Sequence, residues 1–163
     1  MKKLAMFLAM TLVLSGCAAH VTFETVADEL IQSVMAQPKE IWVSIPEDSA
    51  MPAMESENGC VYICKDYEVA VQTLESGDLN ATVQLVSGFD RDRLPILKTD
   101  QDGLDRYDFV WTCAGENQQL GRAAILDDGN YHYVISSTID AGLMEEYQEI
   151  WNGIFESFQL ASY

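Results

Sequence analysis

Four consecutive strand candidates fill the second half of the chain: Leu94 to Thr99, Leu104 to Cys113, Leu120 to Leu126 and Tyr131 to Thr138. Two of their joints carry Asp-Gly, at Asp102-Gly103 and Asp128-Gly129, and the third is the stretch Gly115 to Gln118. Asp-Gly between apolar runs is a strong hairpin signal, because a type I′ turn needs positive φ at its central residues. The expected product is an antiparallel meander. Along Leu104 to Cys113, Tyr107, Phe109, Trp111 and Cys113 share one face, while Asp108, Val110 and Thr112 take the other.

A sheet of this kind needs helices to cover it, and the flanking segments supply them. Leu143, Tyr147, Ile150, Ile154 and Phe158 trace one stripe of a helix, with Glu145, Glu146, Glu149 and Glu156 largely off it and Trp151 flanking it at the rim. Ser76-Gly77-Asp78 leads into Leu79, Val83 and Val86 at helical spacing, closed by Gly88. This predicts a short helix capped by Asp78, with a strand through Thr82 to Val86 as the alternative. Phe23, Val26, Leu30 and Val34 predict a further amphipathic helix, opened by Thr22 or Thr25 with Asp28 and stopped at Gln37-Pro38. Short strands are expected at Ile41 to Ile45, Cys60 to Cys64 and Glu68 to Leu74, with a surface loop from Glu47 to Gly59. The fold class is therefore α+β, an antiparallel sheet of about six to seven strands flanked by helices.

The first residues belong to another layer of information. Lys2-Lys3, an apolar run from Leu4 to Leu14 and small residues before a cysteine have the form of a secretory signal, which is not to be read as fold. The run is about half the length that a helix needs to cross a hydrocarbon layer of roughly 30 Å. Leu14-Ser15-Gly16-Cys17 resembles a bacterial lipobox. That resemblance implies residues 1–16 as a cleaved signal peptide, acylation of Cys17, residues 17–21 as a short lipidated tether, and residues 22–163 as a single domain. A multiply acylated Cys17 would hold the membrane stably, since each buried methylene is worth about 0.8 kcal/mol. The expected location is the extracytoplasmic face of a bacterial cell membrane.

Charge narrows the partners. The chain carries a formal charge of −17, and loss of Lys2 and Lys3 with the signal takes it to −19. Nucleic acid is excluded, because its binding draws on Lys and Arg neutralising phosphates. The partner classes that remain are the membrane through the lipid anchor, another extracytoplasmic protein, and cations; solubility of a solvated acidic face explains most of the carboxylates. With Cys17 spent on lipid, Cys60, Cys64 and Cys113 are the candidate disulfide cysteines, in a pairing the sequence leaves open. On one strand Cys60 and Cys64 lie about 13 Å apart, too far to bond each other, so a bridge needs Cys113.

Chemistry-bearing constellations are thin. A nucleophile needs a base within reach, and the histidines are His20, in the tether, and His132, between Tyr131 and Tyr133 beside a tight turn, where an exposed or half-packed ring is expected. A Cys113–His132 pair on neighbouring strands is the weak exception. Asp90, Asp92, Asp100, Asp102, Asp105, Asp127 and Asp128 all sit in or beside expected turns, which explains them through local backbone hydrogen bonds. Asp100-Gln101-Asp102-Gly103 and Asp127-Asp128-Gly129-Asn130 group oxygens as a calcium site would, yet neither completes a twelve-residue calcium loop. Trp42, Trp111 and Trp151 are core candidates before they are a ligand pocket. No catalytic residue, metal ligand or cofactor is assigned.

Three segments together resemble the superfamily that groups photosystem II PsbP proteins with Mog1. They are Ile41 to Pro46, the turn and aromatic strand of Gln101-Asp102-Gly103-Leu104-Asp105-Arg106-Tyr107-Asp108-Phe109, and Asp127-Asp128-Gly129-Asn130-Tyr131-His132-Tyr133-Val134 followed by a helix into Ile154-Phe155-Glu156-Ser157-Phe158. The resemblance implies an α/β/α sandwich and a non-enzymatic binding or assembly module. The expected function is thus a membrane-anchored, non-catalytic binding lipoprotein; a small-molecule or calcium receptor is the alternative, and a hydrolase the third.

Overall fold

The computed structural model describes residues 37–46, 51–113 and 118–161. The Leu14-Ser15-Gly16-Cys17 motif, the tether, His20 and the helix expected across Phe23 to Val34 lie outside the described residues, as does most of the Gly115 to Gln118 joint.

The meander forms as its alternation demands. Strands β5 (Ile96–Gln101), β6 (Leu104–Cys113), β7 (Gln119–Asp127) and β8 (Tyr131–Asp140) pair antiparallel in sequence order. At the β5–β6 turn both Asp102 (φ 55°) and Gly103 (φ 81°) take the left-handed conformation that a type I′ turn requires. The β7–β8 joint departs from that expectation. Only Gly129 has positive φ there, and the Asp128 carboxylate closes the loop by accepting from the backbone N–H groups of Asn130 (2.9 Å) and Tyr131 (2.8 Å).

Strand β8 also receives β4 (Tyr67–Glu75) on its other side, in register from Tyr67 opposite Ile139 to Glu75 opposite Tyr131. Outward from β4 come β3 (Gly59–Ile63) and β2 (Met54–Ser56), completing a seven-stranded sheet of order β2-β3-β4-β8-β7-β6-β5. Strand β2 corrects the loop expected from Glu47 to Gly59: Met54 pairs with Val61 and Ser56 with Gly59, and the Ser56 hydroxyl donates to the Gly59 carbonyl at 3.0 Å. Its three residues are exposed and too few for alternation to mark them as a strand. The strand expected across Ile41 to Ile45 shortens to β1 (Ile41–Trp42), which pairs with β9 (Gln159–Leu160), a two-residue strand that sequence pattern does not show.

Helices α1 (Leu79–Ser87) and α2 (Met144–Glu156) cover opposite faces, giving the layered α+β architecture. Helix α1 begins as expected, with the Asp78 carboxylate accepting from the Asn80 N–H at 3.0 Å, and Gly88 ends it, so the strand alternative falls. Val83 of α1 packs on Tyr107, Phe109, Trp111, Ala123, Ile125 and Val134. Under α2 lie Val69, Val71, Leu126, Tyr133 and Ile135, met by Trp151, Ile154, Phe155 and Phe158. The stripe of α2 is turned from its expected phase. Ile150 is 42% exposed and Trp151 is 1% exposed, because Trp151, Ile154, Phe155 and Phe158 form the arc that faces the sheet.

The Asp128 loop anchors the segment ahead of β1. Its carboxylate also accepts from the Tyr133 hydroxyl (2.9 Å), which in turn accepts from the Lys39 N–H (3.0 Å). Burial opposes ionisation of Asp128, but the N–H groups of Tyr131 and Asn130 and the Tyr133 hydroxyl outweigh it and hold the carboxyl below its usual range. Burial, with Asp128 beside it, pushes the Tyr133 phenol up to about 12. A carboxyl depressed in the folded state stabilises above its unfolded pKa of about 4 and loses that contribution as pH falls through the folded value. Asp128→Asn is expected to cost about 1 kcal/mol at neutral pH and to flatten the loss of stability below about pH 4. Urea titrations at stepped pH measure both; an unchanged acid slope would remove Asp128 from the account.

Candidate functional site

The sheet is covered unequally. On the α2 side of β4, Tyr67, Val69 and Val71 are buried; on the α1 side, Glu68, Ala70, Gln72 and Leu74 all keep contact with solvent. Helix α1 lies over the β5 to β8 half, as its packing partners show, and leaves the β2 to β4 half without a helix among the described residues. A groove of about 600 Å³ opens between that bare half and the flank of α1.

Its wall is Leu85 and Val86 of α1, its floor Val61, Gln72, Leu74 and Ser136, and its outer rim Met54 and Glu55 of β2. Met54 is 60% exposed and Leu85 67%, an unusual exposure for side chains that face one another across a concavity. Gly59 sets the depth at the turn end. A Cβ there would come within 2.4 Å of the Val71 carbonyl oxygen, so any larger residue would push β3 off β4. Glu55 borders the groove, but its register with Cys60 and Val71 turns its carboxylate to the α2 face, and among the described residues the lining holds no Lys or Arg. On the α2 face of β3, the hydrogen bond Tyr62 shares with the Cys60 side chain, with burial behind it, pushes the Tyr62 phenol up to about 12. The groove offers a mainly apolar contact surface.

The structure places the cysteines apart. Cys60, Cys64 and Cys113 are free thiols. Cys64 packs in the core beneath α2, whereas Cys113 packs against the core beneath α1. The sheet order sets four strand steps between β3 and β6, about 19 Å at about 4.8 Å each, far beyond disulfide reach. A bridge to Cys113 therefore does not fit this arrangement.

His132 overturns the expectation of an exposed or half-packed ring. It is 1% exposed, with Nδ1 at 2.8 Å from the Thr82 hydroxyl of α1 and Nε2 at 3.6 Å from the Asp127 carboxylate. The order hydroxyl, imidazole, carboxylate is that of a hydrolytic triad, but Thr82, on the inner side of α1, and His132 are both buried, and none of the three residues lines the groove. Their contact ties α1 to β8. A partnership with Cys113 is excluded by register: His132 stands opposite Asp127 at one end of the β7–β8 pair, and Cys113 stands opposite Gln119 at the other end of β6–β7.

The turn aspartates do what turns need. Asp100 accepts from the Gly103 N–H at 3.2 Å and Asp127 from the Gly129 N–H at 2.8 Å, while Asp105 meets Lys98 at 2.7 Å. Among the described residues no three His, Cys, Asp or Glu side chains are placed to hold a metal ion. Trp111 and Trp151 lie in the cores on opposite faces, and Trp42 is exposed, so the tryptophans do not converge on a pocket. The groove itself went unseen in the sequence; the exposed Met54 and Leu85 carry no motif.

A seven-stranded antiparallel sheet with a helix on each face defines an α+β protein with a surface groove. No protein-family model matches the chain, and no curated protein matches it in sequence. Among solved structures it is similar to the cyanobacterial PsbP of Synechocystis sp. PCC 6803, at 14% identity over 74% of this chain and 82% of that one, with a TM-score of 0.49. It is also similar to the Ran-binding protein Mog1p of Saccharomyces cerevisiae, at 11% identity over 74% and 89%, TM-score 0.49. A third likeness is to LpqN of Mycobacterium tuberculosis, involved in cell envelope biogenesis, at 12% identity over 78% and 87%, TM-score 0.48.

Proposed function

We propose that this chain is a non-catalytic binding module, held by acyl groups on Cys17 at the extracytoplasmic face of a bacterial membrane, and that it engages another extracytoplasmic protein through the groove between α1 and β2–β4. One observation carries the binding site: Met54 and Leu85 face each other, largely exposed, across a concavity floored by Val61 and Leu74. Exposed apolar residues gathered in one place mark interaction surfaces. The lipobox resemblance supplies the anchor.

The anchor and the site are tested separately. Cys17→Ser is expected to abolish labelling by radioactive palmitate and to leave an uncleaved precursor; a variant that keeps both the label and the mobility of the parent rules out lipidation. For the site, the full chain is used as bait in detergent-solubilised membranes at moderate salt, beside its Leu85→Asp form. A protein retained by the parent and lost from Leu85→Asp supports the groove; equal retention by both moves the partner surface elsewhere. A volume of about 600 Å³ also lies within the range of small-ligand pockets, so a receptor for a small apolar molecule is the second reading. A thermal shift by such a ligand, abolished in Leu85→Asp, would favour it.

A further inference from the structure

The width and charge of the groove restrict what can lie in it. From β4 to β2 the bare half of the sheet spans two strand spacings, about 10 Å, which is the diameter of one helix with its side chains. Helix α1, nine residues long, forms the neighbouring wall, about 13 Å in length. The position is that of a second helix beside α1 in the layer that covers this face. Among the described residues the charge beside it is acidic: Glu57, in the β2–β3 turn, and Glu68, on the same side of β4 as Gln72 and Leu74, are exposed, while Glu55, paired with Cys60, turns its side chain to the α2 face. Lys65, beyond the far end of β3, pairs with Asp66 at 3.5 Å.

We propose that the groove receives a cationic amphipathic helix of the partner protein, about three turns long, with its apolar stripe on Val61, Leu74 and Leu85 and its Lys or Arg side chains over Glu57 and Glu68. This rests on the groove being the partner site. The net charge of −17 attracts such a segment from a distance and salt weakens that attraction, whereas the apolar stripe in the groove fixes where it stops. An anionic or purely polar segment would face unpaired carboxylates across the rim, and a helix without an apolar stripe would leave Met54 and Leu85 in water.

The probe is a labelled peptide of about 14 residues, Leu and Lys at helical spacing, compared with the same pattern in Leu and Glu and with a scrambled Leu/Lys peptide. The full chain is embedded in phosphatidylcholine nanodiscs, with empty discs as the blank, and anisotropy is read at about 0.15 M salt. The patterned Leu/Lys peptide is expected to bind at least about tenfold more tightly than either control. Leu85→Asp and Met54→Asp should each weaken it by about tenfold or more, and Glu57→Lys by about threefold. Both apolar sites are exposed, so folding of the variants is checked by an unchanged melting temperature. Equal binding of the scrambled peptide reduces the effect to bulk charge and overturns the proposal. Strong binding of the Leu/Glu peptide that Leu85→Asp abolishes overturns the cationic class but leaves the groove as partner site. Insensitivity of every peptide to Leu85→Asp and Met54→Asp overturns both. Binding gained only when residues 18–36 are deleted, or a concentration-dependent dimer lost in Leu85→Asp, gives the groove to this chain or to a second copy and likewise overturns it.

Discussion

Trp151→Ala is expected to lower the unfolding free energy by about 4 kcal/mol, seen as a fall in the urea midpoint with little change in slope. The indole is among the largest fully buried side chains and meets Phe155 edge-on at 6.2 Å. Its Nε1–H donates to the Ser137 hydroxyl at 2.6 Å, and Ser137 is itself buried in the centre of β8. Truncation therefore opens a cavity and strands a buried hydroxyl at once, and each adds to the cost. Trp151→Phe keeps most of the volume and is expected to lose about half as much. Ile150→Ala is the informative control. Ile150 lies on the stripe that apolar spacing alone would bury, yet it is 42% exposed, so its truncation should cost about 1 kcal/mol or less. Similar losses for Ile150→Ala and Trp151→Ala would mean that α2 packs in the phase read from spacing.

That phase shows where sequence stops being legible. The strands of the meander announce themselves because alternation and Asp-Gly turns are local: β6 spans Leu104–Cys113 as expected, and Tyr107, Phe109 and Trp111 fall together in the core beneath α1. Helix α2 is equally visible as a helix, but Ile150 and Trp151 are both apolar, and a rotation of one residue keeps the pattern almost as good. The sheet surface underneath decides between them, with Ser137 offering the indole a partner. Strands β2 and β9 are too short for any period to register, and they exist through pairing with β3 and β1. His132 is buried because Thr82, fifty residues earlier in the chain, brings a hydroxyl to it. The separation of Cys113 from Cys60 and Cys64 follows from β4, β8 and β7 lying between their strands, an order that no local signal encodes. The groove is the extreme case, since it consists of what α1 leaves uncovered. The sequence carried the acidity that restricts its occupant, but not the place.

Gly121→Ala is expected to cost about 3 kcal/mol although it adds a single methyl group. Gly121 lies on β7 between Trp111 of β6 and Thr138 of β8, and a Cβ there would stand 2.1 Å from Trp111 Cε2 and 2.3 Å from Cζ2. The indole lies flat across the glycine, where any side chain would occupy the volume of its ring. Trp111 has little room to retreat, because Phe109 lies beside it at 5.8 Å between ring centroids and Val83 of α1 packs in the same cluster. The clash must therefore lift the indole, shift α1 or separate β6 from β7. Shrinking the ring should relieve it: in a Trp111→Leu background the same Gly121→Ala change is expected to cost less, a favourable coupling of about 1–2 kcal/mol in a double-mutant cycle. Additive losses would show that Gly121 is needed for its backbone and not for the space it leaves. Because α1 is also the wall of the groove, coupling through Trp111 carries a second consequence. If Gly121→Ala displaces α1, binding of the Leu/Lys peptide should weaken with it and recover with Trp111→Leu, even though neither residue lines the groove.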